Sequence, residues 1–169
     1  MLLNNFKLTI AEHIEAIGNV DLFLKWGFVM NNLSNGILTI EGIEVKQDTN
    51  LDFLEKSFVT NPNFEVRKRQ SDEATVGSLR PIQLGSKKFS VRISFENNII
   101  QGIRLKVSDP SINQWDYEEK LSQHGEWLTE QIGYPEGILS ENVFEWGKIT
   151  QWYDPRSCDA GISILYFQR

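Results

Sequence analysis

EWGKITQWYDPRSCDAGISILYFQ, residues 145–168, holds the reading that decides the fold. Ile149, Gln151 and Tyr153 fall on one side of an extended run, and Trp146, Lys148, Thr150 and Trp152 on the other. That is the two-residue alternation of a strand. Ile162, Ile164 and Tyr166 repeat it against Ser163, Leu165 and Phe167. Between the runs lies Asp154 to Gly161. An aspartate followed by proline starts a turn, because the carboxylate accepts nearby amide hydrogens and the proline ring fixes φ. Gly161 lets the chain re-enter the sheet. The stretch reads as a hairpin that needs no reactive chemistry, and its apolar groups on both faces place it centrally in a sheet or under a second layer.

Working outward, Asp109-Pro110-Ser111 breaks a strand and opens the longest helix. Asp109 can cap it with Pro110 at the first position, or Ser111 and Gln114 can form a capping box. Tyr117, Leu121, His124, Leu128 and Ile132 form one narrow stripe, Asp116 and Lys120 can pair on the wet side, and Gly133 ends the helix before a Tyr134–Gly137 loop. The C-terminal hairpin is the natural surface for that stripe to cover. Before the helix, Phe89, Val91, Ile93 and Phe95 alternate with Lys88, Ser90, Arg92 and Ser94; Ile103, Leu105 and Val107 return against Gly102, Arg104 and Lys106. A plain two-residue Asn97-Asn98 turn would set Val91 opposite Arg104 and bury a charge. Register therefore requires either a three-residue Glu96–Asn98 loop, pairing Val91 with Ile103, or a bulge near Gln101-Gly102 with the shorter turn.

Further upstream, Phe64–Arg69 reads as a strand with Phe64, Val66 and Lys68 on one side. Residues 70–82 read as a mobile connection, with a weak strand in Ala74–Leu84 as the alternative. Asp48 or Thr49 caps a short helix carrying Leu51, Leu54 and Phe58, which stops before Asn61-Pro62. Ile37–Lys46 is extended and bent at Gly42, after the break at Asn35-Gly36. Thr9 to Gly18 is a capped helix lined by Ile10, Ile14 and Ile17, and Asp21–Met30 is ambiguous between helix and buried strand. The expected fold class is α+β: one domain over residues 1–169, a single antiparallel β-sheet with helices packed on one face.

Composition bounds the function. The 169 residues are 40% apolar and 24% charged, which is ordinary for a globular chain. No apolar run is long enough to cross a bilayer, Met1–Asn5 lacks a basic leader, and the one cysteine, Cys158, suits a reducing compartment. The expectation is a cytoplasmic protein. Its net charge of −6 hides a segregation: Glu65–Lys106 holds nine basic and four acidic residues, so this span is +5 and the remainder −11.

Trp146-Gly147, Ile149, Tyr153-Asp154-Pro155-Arg156-Ser157 and Ile162–Tyr166, after a helix ending in Ile132-Gly133-Tyr134-Pro135, resemble small bacterial proteins of the toxin-immunity type. The resemblance covers about the last third of the chain. It implies a cytosolic protein that neutralises a toxin domain by binding it, and it carries over no contact residue.

The chemistry-bearing residues are few. His13 and His124 are the only histidines, and neither Cys-x-x-Cys nor His-Glu-x-x-His occurs, so no metal or other cofactor is expected. His124 lies on the apolar stripe and reads as a core residue bonded through its ring nitrogens. Cys158 has Asp159 beside it, which disfavours a thiolate. The feature with a physical edge is a basic sheet face: if the 64–69 strand joins the hairpin, Arg67, Arg69, Lys88, Arg92, Arg104 and Lys106 share one solvent side. Such a face suits an acidic protein, or phosphates. Nucleic acid is disfavoured, because Phe89 and Phe95 alternate onto the opposite side from the basic residues. The leading expectation is a non-catalytic protein-binding domain; the alternative is a small hydrolase or ligand-binding enzyme with a pocket of distant carboxylates and His124.

Overall fold

The computed structural model describes residues 32–69, 72–113, 115–133 and 141–168. The expected helix at Thr9–Gly18, the Asp21–Met30 segment, His13, Gln114 and the Tyr134–Gly137 loop lie outside them. After a 3-10 turn at Leu33–Asn35 come β1 (Leu38–Ile40), β2 (Ile43–Val45), α1 (Leu51–Phe58) and β3 (Phe64–Lys68). Next are β4 (Glu73–Ser78), β5 (Ile82–Leu84), β6 (Lys87–Glu96) and β7 (Ile99–Val107). Helix α2 (Tyr117–Ile132) then leads to β8 (Glu141–Phe144), β9 (Gly147–Asp154) and β10 (Asp159–Tyr166). An antiparallel sheet runs β3-β4-β6-β7-β10-β9-β8, with β5 on the same edge of β6 as β4, and β1-β2 form a separate hairpin. The fold is α+β, a large antiparallel sheet with helices against it. No helix among the described residues is long and apolar enough to cross a membrane.

Strand alternation sorts the sheet into two faces. Val76, Phe89, Val91, Ile93, Leu105, Ile149, Ile162 and Ile164 lie on the inner one, and all are buried. Tyr166 and Trp146 fasten the N-terminal hairpin to that face. The Tyr166 hydroxyl donates to Gly36 O at 3.1 Å, and Trp146 Nε1–H donates to Ser34 O at 2.9 Å. Gly36 has φ +76°, and a Cβ there would stand 2.5 Å from the Trp146 ring, so both backbone and packing demand glycine. Trp146 and Tyr166 of the deciding stretch are thus packed and hydrogen-bonded. The β9–β10 hairpin also forms as expected, with Asp154 accepting from Arg156 N–H at 3.0 Å and from the Ser157 hydroxyl at 2.8 Å. Those two donors, the amide first, hold its carboxyl below the usual carboxylate range.

Helix α2 covers the inner face. Its buried side is wider than the expected stripe, taking in Gln123 and Trp127 with Leu121, His124 and Leu128. Trp127 meets Phe89 edge to face at 5.0 Å and donates from Nε1 to Leu84 O at 2.7 Å. The helix starts later than Asp109-Pro110 suggests. Asp116 is the cap, accepting from Glu119 N–H at 3.1 Å, while Asp109 closes its own turn on Ser111. An aspartate can satisfy backbone donors in either setting. Gly133 ends the helix in the left-handed region, as its position indicated.

Two other expectations change. Residues 73–78, within the expected mobile connection, are strand β4, paired on both sides with Ala74 and Val76 buried, so the alternative of a strand in Ala74–Leu84 holds. Val76 is the one large apolar residue in that strand, whose other paired positions include the small Ala74 and Gly77. Residues 41–42 are a tight hairpin turn rather than a bend, with Glu41 at φ +49° and Gly42 at +81° between Ile40 and Ile43. The β6–β7 register takes the bulged option. The turn is Asn97-Asn98, and Phe95 pairs Ile100 while Ser94 pairs Gly102, so Gln101 is the extra residue and Val91 meets Leu105.

Asn98 carries a second load. Helix α1 is capped by Asn50, one residue after the expected Asp48 or Thr49, whose side chain accepts from Phe53 N–H at 2.8 Å. The remaining free amides of the first turn go to the hairpin: Leu51 N–H donates to Asn98 O at 3.2 Å and Asp52 N–H to Asn98 Oδ1 at 3.1 Å. Asn98 holds φ +67° while doing so. Asn98→Gly keeps that turn geometry but loses the side-chain cap, and should cost about 1 kcal/mol in urea unfolding. Gly36→Ala should cost more, about 2–3 kcal/mol, because strain and overlap with Trp146 act together; a wild-type melting curve for G36A would show that the clasp is loose.

Candidate functional site

The register that buries one face arranges the other in rows. Across the middle run Glu65, Gly77, Arg92, Arg104, Ser163, Thr150 and Glu141, each opposite the next on its neighbouring strand. On one side of that row stand Arg67, Thr75, Ser94, Gly102, Leu165, Lys148 and Val143. On the other, Lys106 of β7 and Trp152 of β9 flank Gly161, with the ammonium 5.6 Å from the Trp152 ring centre. Alternation therefore brings Arg67, Arg92, Arg104 and Lys106 onto the same side. Arg69, bonded to Glu73 O through its amide, continues the β3 ladder at one corner. Lys88 shares the parity but sits about 13 Å along β6 from Arg92 by strand rise. It lines a separate depression of about 500 Å³ with Pro81, Ser108 and Asp109.

Most of these cations have partners. Arg67 pairs with Glu65 at 2.8 Å, Arg69 with Glu73 at 3.5 Å and Lys106 with Asp159. Lys148 pairs with Glu141 at 2.9 Å, which holds that carboxyl below its ordinary range. Arg92 and Arg104 differ. They stand directly opposite each other, both exposed, and no carboxylate among the described residues lies within ion-pair distance of either. Like charges in that relation repel, and such pairs change strand stability by roughly 0.2–1 kcal/mol.

A depression of about 320 Å³ adjoins Arg104, lined also by Glu141, Lys148, Thr150, Trp152, Ser163 and Leu165. Two glycines shape it. Trp152 lies over Gly161, where a Cβ would meet the indole at 2.7 Å, and Leu165 lies over Gly102, where a Cβ would come within 3.0 Å of its Cδ2. The two large side chains thus fold outward over neighbouring strands and leave Ser163 as a floor between them. Sequence reading placed Lys148, Thr150 and Trp152 together on one side of their strand, yet did not connect that side with Arg104. The connection needs the β7–β10 register, which joins residues about sixty apart in sequence and has no local signal. Phe89 and Phe95 do face the core, as alternation indicated, but Trp152 puts an aromatic ring on the basic face.

The candidate chemical residues are placed differently. His124 is fully buried on the sheet-facing side of α2, with Nε2 accepting from Val107 N–H at 2.9 Å. The β7–β10 pairing ends at Leu105–Ile162, and His124 takes the amide two residues beyond. Accepting there puts the imidazole proton on Nδ1, which has no partner among the described residues. Cys158 is half-buried in the hairpin turn with Sγ 3.9 Å from Pro155 O. Among the described residues no three His, Cys, Asp or Glu side chains converge to hold a metal ion. No protein-family model, curated protein or solved structure matches the chain.

Burial drives the His124 pKa down to about 4; the nearby Asp159 opposes that shift and Lys120 assists it. In the unfolded chain the ring titrates near its ordinary value of about 6.5. Between those values the unfolded state binds more protons, so folding free energy is full above about pH 6.5 and falls as the pH drops toward 4. The loss is on the order of 3 kcal/mol. Urea midpoints of wild type and His124→Gln at pH 7.5 and pH 4.5 measure it. The wild type should lose markedly more stability than the variant, and equal losses would show that His124 does not govern the acid limb.

Proposed function

We propose that this chain is a non-catalytic protein-binding domain that captures an acidic surface of its partner on the outer face of the sheet. The observation that carries the reading is the Arg92–Arg104 juxtaposition. A fold that pairs Arg67, Arg69, Lys106 and Lys148 with Glu65, Glu73, Asp159 and Glu141 leaves two adjacent guanidinium groups open on its central hairpin. Two forks of donors at that spacing match carboxylates presented together by another protein, and their field speeds encounter with such a surface. The resemblance of the C-terminal hairpin to immunity-type proteins supports a more specific role, neutralising a toxin domain in the cytoplasm by complementarity without a cofactor. The enzymatic alternative places its chemistry on His124, whose buried ring already serves a backbone amide.

The immunity role predicts a toxin gene beside the one for this chain, and co-expression with that toxin's domain provides the test. Wild type should restore growth and bind the domain. Arg92→Glu/Arg104→Glu should lower the association rate by about 10- to 1,000-fold and flatten its dependence on salt. A wild-type chain that neither rescues growth nor binds removes the immunity role, and an unchanged rate in the double variant removes the outer face from the interface.

A further inference from the structure

We infer that the trough between Trp152 and Leu165 is an anchor site, which takes one apolar side chain of an acidic partner segment whose neighbouring carboxylates meet Arg104 and Arg92. The inference rests on the acidic-partner reading above and adds where the partner is gripped. Trp152 and Leu165 supply apolar walls, and Leu165 is 39% exposed. Ser163 and Thr150 form a short-side-chain floor, so an inserted group passes below the level of the surrounding side chains. At about 320 Å³ the hollow falls at the low end of the ~300–1,000 Å³ range of ligand clefts, the size of a single anchor rather than a whole ligand.

Charge fixes the direction in which the segment lies. The trough ends at Glu141, which is held by Lys148 at 2.9 Å and by the Thr150 hydroxyl at 3.4 Å. A carboxylate entering at that end meets a carboxylate. The opposite end opens on Arg104, one strand spacing from Ser163, and then on Arg92, one further strand away. Those spacings are about 4.8 Å each. An extended peptide repeats its side-chain direction every second residue, or about 6.8 Å. An apolar anchor followed at the second and fourth positions by acids therefore sets both carboxylates within reach of the long arginine side chains. A central aromatic wall beside an arginine is also the composition that dominates binding energy at protein interfaces. Nucleic acid fits less well, since the surrounding cations are already paired and two open arginines offer few phosphate contacts.

The test uses the full chain, labelled for NMR, and two heptapeptide amides. One carries a phenylalanine followed at the second and fourth positions by glutamates; the other has serine in place of phenylalanine. The phenylalanine peptide should bind at least tenfold more tightly and shift the Trp152 indole N–H and Leu165 methyl signals. Leu165→Ser, an exposed position chosen to spare the fold, should erase that preference, and Trp152→Ala should do the same if its melting curve shows it folded. Equal binding of the two peptides overturns the anchor while leaving the acidic-partner reading intact. Binding of neither at low salt overturns both. Decauridylate that shifts Trp152 and competes more strongly than the phenylalanine peptide overturns the protein partner in favour of single-stranded nucleic acid.

Discussion

Strand β10 is hydrogen-bonded on both sides, to β7 through Ile162–Leu105 and Ile164–Ile103 and to β9 along its whole length. It is the seam between the β3–β7 part of the sheet and the C-terminal hairpin, and its alternation determines what each face can be. Ile162, Ile164 and Tyr166 point inward and are buried, while Gly161, Ser163 and Leu165 point outward. A one-residue slip would reverse both sets together. Tyr166 adds a polar tie from the same strand to the Gly36 carbonyl, and burial pushes its hydroxyl pKa up, so it remains a donor across the working pH range. The hold on helix α2, the clasp on the N-terminal hairpin and the shape of the outer trough all follow from this one strand.

The outer face reveals a different economy from the inner one. Inside, buried polar groups are few and have structural duties: Trp127 bonds Leu84 O, Gln151 donates to Leu121 O, and His124 receives Val107 N–H. Outside, small residues sit on the two strands next to Trp152 and Leu165, and two arginines face each other without a counter-charge among the described residues. The glycines serve the fold, since a Cβ at Gly102 would stand 2.5 Å from Ile164 O and one at Gly161 2.8 Å from Leu105 O. The arginine pair does not, because opposed like charges repel.

Much of this architecture could be read from the chain because alternation is local. Phe89–Phe95, Ile103–Val107 and Ile149–Tyr166 each announce a strand and its buried side within a few residues. Leu51, Leu54 and Phe58 do the same for the first short helix. Features decided by competition among neighbouring signals were harder. Asp109, Ser111 and Asp116 can all cap, and the helix takes the last. The β4 strand is masked by Ala74, Thr75 and Gly77, which are held in the sheet by partners on both sides rather than by their own hydrophobicity. The six basic residues could be assigned to one face, yet which of them are open depended on Glu65, Glu73 and Asp159, and the trough depended on a register between distant strands.

On the proposed reading, the fold does not need the Arg92–Arg104 pair and keeps it for contact with another molecule. Urea unfolding of Arg104→Thr at low and at high salt tests this most directly, because threonine suits an exposed strand and removes only the repulsion. Stability unchanged or raised by up to about 1 kcal/mol at low salt, with the gain shrinking as salt is added, is the predicted result. A loss above about 1 kcal/mol that salt does not alter would mean that Arg104 is part of the packing, and the claim would fail.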